Sequence, residues 1–207
     1  MDLSSPIRSV IPSAQGAVLA VLALVGTRLS GRQIAERSGG VSNSGVQRVL
    51  AELVESGLVL AEEHPPARLY RLNRDHVAAE AIAVLASLRA AMLERMRDHI
   101  RSWRIPPVAV WLFGSAARAE GTTESDLDVF VVRPDEFSDD DVTWRQQVAS
   151  FADKSSLWTG NDCAIVEVSK SELEDMVTAR ERLIVELRAD AIVLAGRTPH
   201  QLLGRGD

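Results

Sequence analysis

The sequence predicts an α+β protein of two domains bridged by a long helix, and three observations carry that prediction. Residues 1–104 hold 13 Lys/Arg and 10 Asp/Glu, a net +3, whereas residues 105–207 hold 10 and 19, a net −9. Such asymmetry separates two functional halves within a chain whose overall charge is −6. Between Asp75 and Trp103 there is neither Gly nor Pro, as one uninterrupted helix requires. After Pro106 and Pro107 the apolar spacing changes from helical to the continuous run of a buried strand. The expected boundaries are residues 1–74, 75–104 and 105–207.

From Ser13, apolar Val18, Leu19, Leu22 and Val25 recur at helical spacing and stop at Gly26. The run AVLAVLALVG at 17–26 is too short for a bilayer and lacks the basic leader and cleavage site of a secretory signal. It reads as a buried helix of a cytoplasmic protein with no membrane partner. The single cysteine, Cys163, excludes an internal disulfide framework and a Cys-based zinc site, which fits a reducing compartment. GRQIAERSG follows as a brief amphipathic helix around Ile34 and Ala35. In VSNSGVQRVLAELVESGLV, Ser42 or Ser44 caps a longer helix, Val46, Val49, Leu50, Leu53 and Val54 form its inward stripe, and Gly57 ends it. LVLAEE, HPPA and RLYRLN then read as strand, turn and strand.

This order of helix, short helix, turn, longer helix and hairpin, over about 13–73, resembles the winged helix-turn-helix of bacterial transcriptional regulators. The resemblance implies that Ser42, Asn43, Ser44, Gln47 and Arg48 face bases or phosphates of double-stranded DNA. It implies phosphate contacts for Arg32, Arg37 and Arg68, and a homodimer reading two half-sites. Glu52, Glu55, Glu62 and Glu63 make this surface less basic than that of a strong DNA binder, and the same fold also serves in protein interaction.

Val77, Ile82, Leu85, Leu88, Met92, Met96, Ile100 and Trp103 keep near-helical spacing, so one connecting helix of about 28 residues is expected. Its apolar stripe suits a core or a dimer seam. His76 and His99 have no ligand-like partner at i+4. The second half then opens with the strand VAVWLF, which ends at Gly114-Ser115, and SAARAE starts a helix. Glycine lets backbone approach a ligand, and the Ser115 hydroxyl with the helix-start amides can donate to phosphate oxygens. EGTTES is the returning loop and DLDVFVV the next strand. Strand alternation points Asp126 and Asp128 the same way, with Leu127 and Val129 on the other face. Two adjacent carboxylates repel, and Mg²⁺ removes that repulsion while leaving positions for phosphate oxygens and water.

Gly-Ser at a helix start followed after ten residues by Asp-x-Asp in an apolar strand is similar to the signature of the polymerase-β-like nucleotidyltransferases, particularly the minimal ones and the aminoglycoside-modifying branch. The match is close over FGSAARAEGTTESDLDVFVV, including Arg118, Glu120 and Ser125, and looser to the end of the chain; Ala119 stands where the family usually has glycine. The resemblance implies a C-terminal α/β nucleotidyltransferase fold with a small mixed sheet. It implies two Mg²⁺ ions and a nucleoside triphosphate, ATP foremost, whose nucleoside monophosphate passes to a hydroxyl of a protein, RNA or small molecule. On this sequence Asp126 and Asp128 are then catalytic and hold metal, Gly114 and Ser115 hold triphosphate, and Arg118 or Ser125 supports them.

In the family a third acid on a neighbouring strand completes the site as general base. Glu167, between two valines in CAIVEV, is the expected catalytic and metal-binding residue here. Asp162 is its competitor, five positions earlier and so on the opposite strand face, and it also fits an ordinary turn beside Gly160 and Asn161. The remaining alternative is that Glu167 sits on an exposed edge and neither acid completes the site, which makes the enzyme slow or inactive. Ser171–Leu187 is expected to be helical, with a capping box of Ser171 and Glu174. AIVLAG is a last strand and RTPHQLLGRGD a frayed tail. The expected function is Mg²⁺-dependent nucleotidyl transfer coupled to a DNA-binding domain. The competing expectations are a nucleotide- or metal-sensing transcriptional regulator with a weak or inactive transferase domain, and one component of a toxin-antitoxin pair.

Overall fold

The apolar stripes of the first half close on one core. In the computed structural model, which describes residues 1–204, Ser4–Ala90 with Asp2 form one compact unit, and Ala91 onward with Met1 and Leu3 form another. In the first unit α1 (Ala14–Leu24), α2 (Gly31–Arg37) and α3 (Asn43–Glu55) bury Val18, Leu22, Ile34, Val46 and Leu50 almost completely. Ser30 caps α2 through a reciprocal box with Gln33, and Ser42 caps α3 by accepting from the Gly45 N–H. The strands β1 (Leu29–Ser30), β2 (Val59–His64) and β3 (Ala67–Leu72) form an antiparallel sheet in the order β1-β3-β2. Tyr70 and Leu72 turn its inner face into the same core.

The single helix expected across 75–103 is two helices, α4 (Ala79–Ala86) and α5 (Leu88–Arg101). Ser87 breaks it: its N–H is shared between the carbonyls of Ala83 and Val84, and its hydroxyl donates to the Val84 carbonyl. This serine bonds locally to backbone that a continuing helix would use, a competition invisible to apolar spacing. Ile82 of α4 joins the first core, while Met92, Met96 and Ile100 of α5 join a core of the second unit.

The second unit is built on a small mixed sheet in the order β6-β5-β4-β7. Its strands are β4 (Ala109–Phe113), β5 (Leu127–Arg133), β6 (Cys163–Ser169) and β7 (Ile192–Gly196). β4 pairs antiparallel with β5 and β7, and β5 pairs parallel with β6. All five residues of β4 are buried, as its unbroken apolar run requires. Alternation divides the interior in two. Val110, Leu112, Leu127, Val129 and Val131 pack with Trp144 and Phe151 of α7 (Val142–Thr159). On the other face Trp111, Phe113, Phe130 and Val132 pack with Leu173 of α8 (Lys170–Thr178) and with Ile184 and Leu187 of α9 (Arg182–Asp190).

Two expectations for the C-terminal stretch are corrected. The helix expected over 171–187 is α8 and α9, separated where Arg180 adopts a left-handed φ of 55°. Its capping box is Ser169 with Glu172, the same spacing two residues earlier, where the chain leaves β6. The tail is not frayed through Leu203: Thr198 caps α10 (Pro199–Leu203), and Leu203 is buried. Positions 205–207 of that tail lie outside the described residues. Among the described residues no helix is long and apolar enough to cross a membrane.

Candidate functional site

The antiparallel register of β4 and β5 pairs Phe113 with Asp128, which brings the next residue, Gly114, against the aspartate. Gly114 has φ +67°, and a β-carbon placed on it would lie 2.5 Å from Asp128 Oδ2. Glycine is therefore required twice here, for its backbone and for the space it leaves. It opens the four-residue α6 (Gly114–Ala117), with Ser115 half-buried beside it. Asp126 is exposed immediately before β5 and Asp128 is half-buried within it. The structure thus brings together Gly114, Ser115, Asp126 and Asp128.

Burial holds the Asp128 carboxyl above its ordinary pKa, the charge of Asp126 and, less strongly, that of Glu186 on α9 add to the rise, and Arg118 opposes it. Arg118 is itself engaged, its Nε donating to Glu120 at 2.8 Å and its Nη1 to Asp190 of α9 at 3.0 Å. An anionic pair left short of positive charge has the chemistry to hold a hard divalent cation, and Asp126 and Asp128 are the residues that could hold one. Among the described residues, no three His, Cys, Asp or Glu side chains are placed to hold an ion together.

Glu167 is not part of this arrangement. The parallel register pairs it with Val131, whereas the partner of Asp128 is Ala164. Glu167 therefore shares the α7 face with Val131, opposite to Asp128, where it accepts from Arg133 Nε at 3.0 Å and Trp144 Nε1 at 2.7 Å. A carboxylate inside a strand does need a reason, and here the reason is structural: it satisfies a buried arginine and an indole. Asp162 precedes β6; its carbonyl accepts from the Leu127 N–H and its side chain is exposed. Cys163 pairs with Leu127, and burial pushes its thiol up to about 11, so it is a packing residue.

Ser125 shapes the loop before the aspartates: its Oγ accepts from the Thr122 N–H at 2.9 Å. The sequence reading missed Asn161, which is almost fully buried. Its Nδ2 donates to the carbonyls of Thr122 and Ser125 at 3.2 and 2.8 Å, and its Oδ1 accepts from the Met1 amino group at 2.7 Å. Asn161 thereby pins the loop that presents Asp126. Gly-Asn-Asp reads locally as a turn, and nothing in it signals a bond to a segment 36 residues away.

In the first unit Ser42, Asn43, Ser44, Gln47 and Arg48 are exposed along the start of α3, and the Gln47 amide lies against Gly31 of α2. Arg37 is exposed and donates to the Gln33 carbonyl. Arg32 pairs with Glu36 at 3.0 Å and Arg68 with Glu63 at 3.1 Å.

A family model described as the nucleotidyltransferase domain matches residues 93–197, just over half of the chain. No curated protein matches. Among solved structures, a chain from "Crystal structure of the toxin-antitoxin with AMP-PNP" is similar at 17% identity and a TM-score of 0.36, covering 54% of this chain and 80% of that one.

Proposed function

The chain belongs to the nucleotidyltransferase domain family, and from that premise we propose that it binds a magnesium-bound nucleoside triphosphate at Gly114, Ser115, Asp126 and Asp128 and moves the nucleoside monophosphate to a hydroxyl acceptor. The observation that supports the reading is the packing of the Asp128 carboxylate against Gly114, which sets Asp128, two residues after Asp126, at the start of α6. Asp126 and Asp128 would hold the cation, which when bound neutralises the phosphates and orients them for in-line displacement. Gly114, with no side chain of its own, and the Ser115 hydroxyl would meet the phosphates at the start of α6. Asn161 fixes the loop between α6 and β5 that carries Asp126, so that Asp126 would hold a cation without reorganisation of the loop. Arg118, held between Glu120 and Asp190, steadies α6 against α9 and tempers the charge on Asp128.

The test is binding of a fluorescent ATP analogue to the purified protein with and without Mg²⁺, together with labelled ATP in cell extract to reveal the acceptor. Metal-dependent binding that disappears in the Asp126→Asn, Asp128→Asn double variant is the expected result. Binding that ignores both the metal and the double variant would overturn the reading.

A second reading concerns the first unit, which we read as a winged helix-turn-helix directed at double-stranded DNA. It is supported by the exposed polar start of α3, with α2 packed on it and the β2-β3 hairpin following. The pairing of Arg32 and Arg68 with glutamates argues for weak phosphate contact and a shallow salt dependence. Selection from a random duplex library measures this: an enriched motif whose binding Arg48→Ala weakens is expected, and no enrichment at low salt counts against it.

A further inference from the structure

Resting on the nucleotidyl-transfer reading, we propose that Ala164 occupies the place where this site's proton acceptor would have to stand, so that the chain holds the metal-bound nucleotide with two carboxylates and transfers slowly. In the transfer, the acceptor oxygen forms a bond to the α-phosphorus. The bond from that phosphorus to the oxygen bridging the β-phosphate breaks, pyrophosphate leaves with the bridging oxygen, and the acceptor's proton must pass to a base. Asp126 and Asp128, committed to the cation, have their charge neutralised by it and are poor proton acceptors.

The base must then come from an element beside β5, on the face of Asp128. β5 has two neighbours. Across from Asp128, β4 offers Phe113, a buried core residue, and β6 offers Ala164. β6 is the edge of its sheet, and both Ala164 and Val166 on this face are exposed, so a carboxylate at 164 has room and a path to solvent. The acids nearby are otherwise occupied or displaced. Glu167 is on the far face with Arg133 and Trp144, Asp190 holds Arg118, Glu186 pairs with Arg182 at 3.0 Å, and Asp162 lies before the strand. The positioned base that is missing is worth roughly 10²–10⁴ in rate.

The experiment compares wild type with Ala164→Asp, Ala164→Glu and the uncharged Ala164→Asn. It uses Mn²⁺ titration followed by electron paramagnetic resonance in the presence of α,β-methylene-ATP, and Mg²⁺-dependent pyrophosphate release from ATP with water as acceptor. Wild type is expected to bind the analogue with Mn²⁺ and release pyrophosphate slowly. At least one charged variant should bind Mn²⁺ tenfold or more tightly and release pyrophosphate at least tenfold faster, with Ala164→Asn doing neither. Folded charged variants that change neither readout overturn the proposal, as does a loss of wild-type release in Asp162→Asn or Glu186→Gln as deep as in the Asp126→Asn, Asp128→Asn variant. Absence of metal-dependent analogue binding in every protein would overturn the nucleotide-site reading, and this proposal with it.

Discussion

Asp128 closes on the backbone of Gly114, its Oδ2 lying 2.5 Å from the place a β-carbon on that glycine would take. Gly114→Ala therefore introduces a left-handed alanine, at a cost of about 1–2 kcal/mol, and pushes against the carboxylate as well. The expected outcome is a loss of about 1–3 kcal/mol in urea denaturation. Metal-dependent binding of a fluorescent ATP analogue should weaken at least tenfold. A folded variant with wild-type affinity would show that this contact does not shape the site.

Gly114 and the Asp126, Asp128 pair were each legible because each is local, a turn after an apolar run that needs glycine and two acids two residues apart where an apolar strand begins; that they meet is set by the β4-β5 register. Glu167 was misread because its face depends on pairing with a strand more than thirty residues earlier, and one step of register reverses every side chain. The same limit hid Asn161, whose partners lie across the loop from it. The break at Ser87 was local yet still missed, since a hydroxyl bonding back to the helix leaves the apolar period intact.

Glu167→Gln separates the structural role of this acid from a catalytic one. Arg133 is nearly buried, and the substitution removes its charged partner while weakening the bond from Trp144. A stability loss of about 1–3 kcal/mol is expected, as for charge-assisted hydrogen bonds. Nucleotide affinity should not change. Calorimetry and the analogue titration measure the two together, and a selective loss of binding at full stability would return Glu167 to the site.

Ala119 stands in the left-handed region at φ 58°, next to Arg118, the residue that caps the end of α6. An alanine there carries a cost of about 1 kcal/mol that glycine does not, part of which the added freedom of glycine in the unfolded chain takes back. Ala119→Gly should therefore stabilise the protein by about 0.5–1 kcal/mol and leave nucleotide binding intact. A lower urea midpoint in this variant would mean that the turn carries no strain.

Asp128 is expected to trade stability for function, and the sign follows from its raised pKa. Burial and the charge of Asp126 disfavour its ionised form in the folded state, so the folded protein releases this proton at higher pH than the unfolded chain, whose value is near 3.8. Below 3.8 the group is protonated in both states and costs nothing. As pH rises from there through the raised folded value the unfolded state ionises more readily, and stability falls until both states are ionised. Asp128→Asn removes that penalty without removing volume. In metal-free buffer at pH 7 the variant should melt above wild type, the difference shrinking to nothing as pH falls below the unfolded value, while metal-dependent nucleotide binding is lost at every pH. Thermal scans across pH 3 to 8 in EDTA measure this directly. A variant that melts below wild type at neutral pH would show that the Asp128 charge is stabilised by partners rather than strained by its neighbour.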